Sequence, residues 1–128
     1  MPKHIPSEHY TSNPYEIVPN AHVHPDVEHH DHPEDTERYL LPAVFSSEKG
    51  FTILGKYPGP GVYYIVEGEG QYEDTMKSGS STIVKAGSVI HVEEGSILRW
   101  HGKPGVKGFA VFHVPVAVKS LDEFVVPE

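Results

Sequence analysis

From residue 39 onward, apolar and polar positions alternate in short bursts. YLLPAVF (39–45), FTILGKY (51–57), VYYIVEG (62–68), GQYED (70–74), STIVKAG (81–87), SVIHVEEG (88–95), SILRWHG (96–102), GFAVFHVPV (108–116) and EFVV (123–126) are rich in β-branched and aromatic residues. Such side chains pack well on a pleated, half-buried surface. Gly-, Pro- and Ser-rich clusters such as PGPG (58–61) and SGSS (78–81) separate the runs and supply the turns. Eight or nine short strands at this spacing predict an all-β sandwich or barrel. A helix is needed nowhere, with the stretch 119-KSLDEF-124 as the one place for a short turn.

The first 38 residues have another texture. They hold Pro2, Pro6, Pro14, Pro19, Pro25 and Pro33 and few apolar positions, and 26-DVEHHDHPEDTER-38 is almost entirely polar. A segment of that kind cannot bury a face and reads as an exposed arm. The expected organisation is therefore a polar, His-rich arm over 1–38 and a barrel over 39–128.

Composition narrows the function. The formal charge of −8 disfavours nucleic acid and anionic membrane surfaces, whose phosphates would repel the chain. No cysteine is present, so disulfides and thiolate ligands are excluded and any metal would rest on His, carboxylate or Tyr oxygen. No apolar run approaches the ~20 residues of a membrane span, and the opening MPKHIPSEHY lacks the apolar segment of a signal peptide. A cytoplasmic protein is the expectation.

Two stretches carry a family likeness. Residues 62-VYYIVEGEGQYE-73 and 87-GSVIHVEEGSILRW-100 resemble, in order, the end of the first and the whole of the second motif of the cupin superfamily. The likeness spans about 70 residues and leans toward ethanolamine-utilisation-type cupins. It implies a double-stranded β-helix, or jelly-roll barrel, and a homodimer, with YEIV (15–18) available to join a partner's sheet. Carried over residue by residue, the family's metal ligands fall on Gly55 and Tyr57 (or Leu54 and Lys56), on Gly61 and on Leu98. Gly and Leu have no lone pair to give, so the resemblance implies a barrel without its usual metal site and no cofactor.

The heptad 22-HVHPDVE-28 copies the spacing H-x-H-x3-E of such a site, yet it runs into HHDHP rather than an apolar strand. It is not the motif in place. It reads as a solvated arm; an alternative is a site for one divalent transition metal held by His22, His24 and Glu28 from outside the barrel. A pH-sensing role for this cluster is a further option.

By strand alternation Gly61, Tyr63 and Ile65 face inward with Leu98 and Trp100, while Val62, Tyr64, Val66, Arg99 and His101 face away. Tyr57 joins the inward set. These residues predict a pocket for a small, fairly apolar, oxygenated molecule, with Trp100, Leu98, Gly61 and Ile65 as its walls. His113, Tyr57 and Tyr63 are the candidate catalytic groups, the imidazole as acid/base and the phenols as donors to an enolate oxygen. Each has a plainer role open to it: a backbone-bonded histidine and packing tyrosines. The expected function is a metal-independent isomerase, cyclase, dehydratase or other lyase. The alternatives are a metal-dependent oxygenase or lyase and a non-enzymatic binding barrel.

Overall fold

The computed structural model describes residues 15–23, 37–77, 81–118 and 121–127. Among the described residues, ten strands form: β1 (Tyr15–Val18), β2 (Ala21–Val23), β3 (Arg38–Ser46), β4 (Phe51–Lys56), β5 (Gly61–Glu67), β6 (Glu69–Asp74), β7 (Ser81–Lys85), β8 (Val89–Val92), β9 (Ile97–Gly102) and β10 (Lys107–Pro115). One sheet has six strands in the order β1-β2-β3-β10-β5-β8 and the other four in the order β4-β9-β6-β7. Every pairing is antiparallel, and the chain has the all-β barrel architecture its pattern predicts.

The period of two decides what is buried. In β10, Gly108, Ala110, Phe112 and Val114 point inward while Lys107, Phe109 and His113 lie exposed. In β3, Tyr39, Leu41 and Ala43 do the same. Both sheets contribute to a single core, with Leu98 and Trp100 of β9 and Val84 of β7 opposing Ile65, Ile90 and Phe112. Leu41 and Val114 are fully enclosed; each contributes about 1.5–3 kcal/mol by leaving water.

The turn between β5 and β6 needs glycine. Gly68 has φ +85°, and a Cβ there would come within 2.6 Å of Val106 Cα. A side chain is excluded by conformation and by space.

Two findings differ from the sequence expectation. Residues 15–23, placed in the polar arm, form a hairpin whose β2 pairs with β3 of the same chain, Val23 opposite Phe45. The stretch YEIV thus extends its own sheet, because Ile17, Ala21 and Val23 offer the barrel an apolar face. EFVV at 123–126 is not a full strand: Leu121–Phe124 is a 3-10 turn with Leu121 and Phe124 buried. Only a single bridge, Gly55 to Val125, follows it.

The two outer faces are unlike each other. On the four-stranded sheet, Thr52, His101, Gln71 and Ile83 share one row, and Arg99 meets Glu73 at 3.9 Å in the next. On the six-stranded sheet, Val44, Phe109, Tyr64 and Val89 form a continuous apolar row across four strands. Pro42, Val111, Val62 and His91 form the row beside it.

Candidate functional site: an aromatic cavity with a phenol relay

Between the sheets lies a cavity of about 110 Å³. Its existence follows from residue size. Across the inner face of the larger sheet, Tyr63, Ala110 and Ala43 stand in one row, so a bulky ring is followed by two methyl groups. The opposite wall includes Gly55, Gly70 and Gly102. The two alanines leave space that Phe45, Phe51, Ile53, Ile65, Trp100 and Phe112 surround with apolar surface, while the Tyr57 and Phe51 side chains occupy the room beside Gly55 and Gly102.

The polar groups inside are few and linked. Trp100 Nε1–H donates to Tyr57 Oη at 2.8 Å, and Tyr57 Oη is 2.7 Å from Tyr63 Oη. The rings support this geometry: Tyr63 meets Trp100 with centroids 4.8 Å apart, and Tyr57 packs against Phe112 at 5.7 Å and Phe124 at 5.8 Å. Burial pushes the Tyr57 phenol up to about 12, although its bonds to Tyr63 and Trp100 offset part of the rise. Tyr63 is raised well above the ordinary value of 10.0, by burial first and then by the neighbouring Tyr57. Both are therefore neutral donors rather than phenolate bases at any working pH. Tyr57 is 2% exposed and Tyr63 is half-buried; both line the cavity.

The other sequence-selected residues separate into two groups. Ile65 lines the cavity, and Leu98 is buried in the core beside it. Gly61 opposes Phe112 in the sheet. His113 is elsewhere. It lies exposed on the outer face, its carbonyl taking a bond from Arg38 Nη1 at 3.1 Å and its N–H donating to Pro60 O at 2.9 Å. The expectation that its imidazole shares the pocket with the tyrosines is not met, because Ala110, Phe112 and Val114 take the inward positions of β10. His91 is exposed as well. His101 lies on the outer side, as alternation predicts, in the row with Thr52 and Gln71, its Nδ1 3.0 Å from Thr52 Oγ1.

The residues at the family's ligand positions do not fit a metal ion. A Cβ at Gly61 would lie 2.2 Å from Phe112 Cδ1 and 2.8 Å from Val111 O. At Gly55 a Cβ would stand 3.4 Å from Tyr57 Oη. Rings of Tyr57 and Phe112 fill the space that chelating side chains at 55 and 61 would need. Of the external candidates, His22 is described: it is half-buried on β2 with Nε2 3.7 Å from Glu16 Oε2. His24 and Glu28 lie outside the described residues. Among the described residues, no three His, Asp or Glu side chains are grouped to hold a metal, and no helix is long and apolar enough to cross a membrane.

Sequence reasoning missed Ala43, Ala110 and Phe112, and the hairpin residues Ile17, Ala21 and Val23. The period-two pattern of β10 was the available signal for Ala110 and Phe112. It was blunted because Phe109 and Val111 make the opposite face apolar too.

Among family models no match to the chain is found, and among curated proteins none either. Solved structures are similar in fold. An ectoine synthase from P. lautus superposes with a TM-score of 0.65 at 15% identity, covering 88% of this chain and 76% of that one. The EutQ protein of Clostridium difficile gives 0.59 at 14%, covering 82% and 72%. An RmlC-like cupin from Shewanella frigidimarina gives 0.59 at 15%, covering 79% and 82%. The chain has the cupin fold.

Proposed function

We propose that this cupin-fold chain binds a compact, mostly apolar small molecule in the cavity between its sheets. The observation that supports the reading is the row Tyr63–Ala110–Ala43, which sets an open apolar floor beside a phenol. An apolar cavity of about 150 Å³ holds benzene, so about 110 Å³ suits a molecule of about five or six heavy atoms. Binding to the folded state alone raises stability in proportion to occupancy. Thermal denaturation with small cyclic hydrocarbons and ketones checks this: the wild type gains stability and Ala110→Leu, which fills the floor, does not. Equal behaviour of the two proteins with every compound would end the proposal.

The enzymatic form of the reading is enolisation, the chemistry shared by the isomerases, cyclases and lyases expected from the sequence. One observation favours it: two linked neutral phenols inside the cavity. Enolisation passes the proton beside a carbonyl to a base from solvent and the C–H electron pair to the carbonyl oxygen, where a phenol hydrogen bond stabilises the enolate. The test is deuterium exchange at the α-carbons of cyclopentanone in heavy water. Exchange above the buffer rate, lost in Tyr63→Phe, supports catalysis; exchange at the buffer rate leaves a binding barrel. Ectoine synthase, one of the similar structures, is an enzyme by its name, but at 15% identity it argues for the fold alone.

A homodimer formed through the outer face of the six-stranded sheet belongs to the same reading. Its support is the row Val44–Phe109–Tyr64–Val89. Neither that row nor the next contains a carboxylate, in a chain of formal charge −8. A copy can approach this face without like-charge repulsion.

A further inference from the structure

Three hydrogens and two oxygens make up the polar interior of the cavity, and they do not balance. Trp100 donates one hydrogen to Tyr57. One of the two phenols donates to the other. One phenolic hydrogen is left with no acceptor among the described residues.

The order of the chain decides which one. A hydroxyl that accepts a bond becomes a stronger donor, so Trp100 N–H primes Tyr57 to donate onward to Tyr63. The arrows then run one way, Trp100 to Tyr57 to Tyr63, and the spare hydrogen belongs to Tyr63. The partner count agrees: Tyr57 Oη has both Trp100 and Tyr63 within hydrogen-bond distance, whereas Tyr63 Oη has Tyr57 alone among the described residues. Among the described residues, no Lys or Arg lines this space.

We infer that the cavity selects neutral molecules carrying a single hydrogen-bond-accepting oxygen, a carbonyl or ether, seated on Tyr63 Oη–H with their apolar body over Ala110 and Ala43. This rests on the binding reading above and narrows it. A hydrocarbon of the same shape leaves the phenol hydrogen unmade, which costs more than the average bond gains. A carboxylate meets one neutral donor and no cation, so its desolvation goes uncompensated. An ether or ketone satisfies the count and asks for nothing further.

The experiment compares cyclopentanone with methylenecyclopentane, which has nearly the same shape without the acceptor, and with isobutyrate, a carboxylate of six heavy atoms. Cyclopentanone is expected to bind about tenfold more tightly than methylenecyclopentane, and the carboxylate at least as much more weakly. The infrared carbonyl stretch of bound cyclopentanone should fall below its position in an apolar solvent. In Tyr63→Phe the preference should shrink toward unity and the stretch return. Trp100→Phe should leave an intermediate shift, because Tyr63 still donates but is no longer polarised through Tyr57. Equal affinity for the ketone and the hydrocarbon in the wild type overturns the inference while leaving the binding reading intact. Failure of both to bind removes the binding reading itself. An unshifted stretch in the wild type, or a preference undiminished in Tyr63→Phe, also overturns it.

Discussion

Replacing Tyr57 by phenylalanine deletes one oxygen and affects two neighbours: Trp100 loses its acceptor and Tyr63 loses its donor partner. A buried indole N–H without a partner costs about 1–3 kcal/mol. Tyr63→Phe leaves the Trp100–Tyr57 bond whole. We expect Tyr57→Phe to destabilise the fold by about 1–3 kcal/mol and Tyr63→Phe by less than about 1 kcal/mol, measured by urea unfolding. The same pair governs behaviour in alkali. A phenol held neutral by folding contributes stability that is complete below its ordinary value of 10.0 and is lost as pH climbs through about 12. Tyrosinate absorbance should show Tyr57 and Tyr63 ionising late, and stability should decline above pH 10. Ionisation of all seven tyrosines together would contradict the enclosure of the pair.

Among the elements, β10 shows what sequence could and could not give. Its two faces are both apolar in sequence: Ala110, Phe112 and Val114 on one, Phe109 and Val111 on the other. Alternation therefore could not tell which face held His113, and the imidazole was sought inside. β5 was easier, because VYYIVEG is anchored by Gly68 at a turn where φ is positive. Counting back by twos placed Tyr63 and Ile65 on the inner face. The hairpin β1–β2 was hidden by its setting: seven short-strand residues between proline-rich and histidine-rich stretches gave no sustained period, and only pairing with β3 makes them a sheet edge. The cavity itself was not legible, since it depends on Ala43 and Ala110 meeting across strands 67 residues apart in register. Ala110→Leu should fill that floor and stabilise the unliganded protein by about 1 kcal/mol. Loss of stability by 3 kcal/mol or more would mean that the floor is already packed.

For the whole molecule, the contrast between its two outer faces makes a solution-state prediction. Phe109→Glu or Tyr64→Glu places a carboxylate in the middle of the apolar row and should convert a dimer to monomers in sedimentation equilibrium, with the barrel still folded. Gln71→Glu, on the polar face, should change nothing. A wild type that sediments as a monomer at high concentration would dismiss the dimer. At this scale, too, the glycine at 61 acquires a meaning beyond its own position. Grafting a chelating side chain there is obstructed twice, by the Phe112 ring at 2.2 Å and by the Val111 carbonyl at 2.8 Å, so trimming the ring relieves only one obstacle. A designer who wished to install an ion in this vessel would have to reshape β10 before touching β5, and no route of single tolerated substitutions that starts at Gly61 leads there.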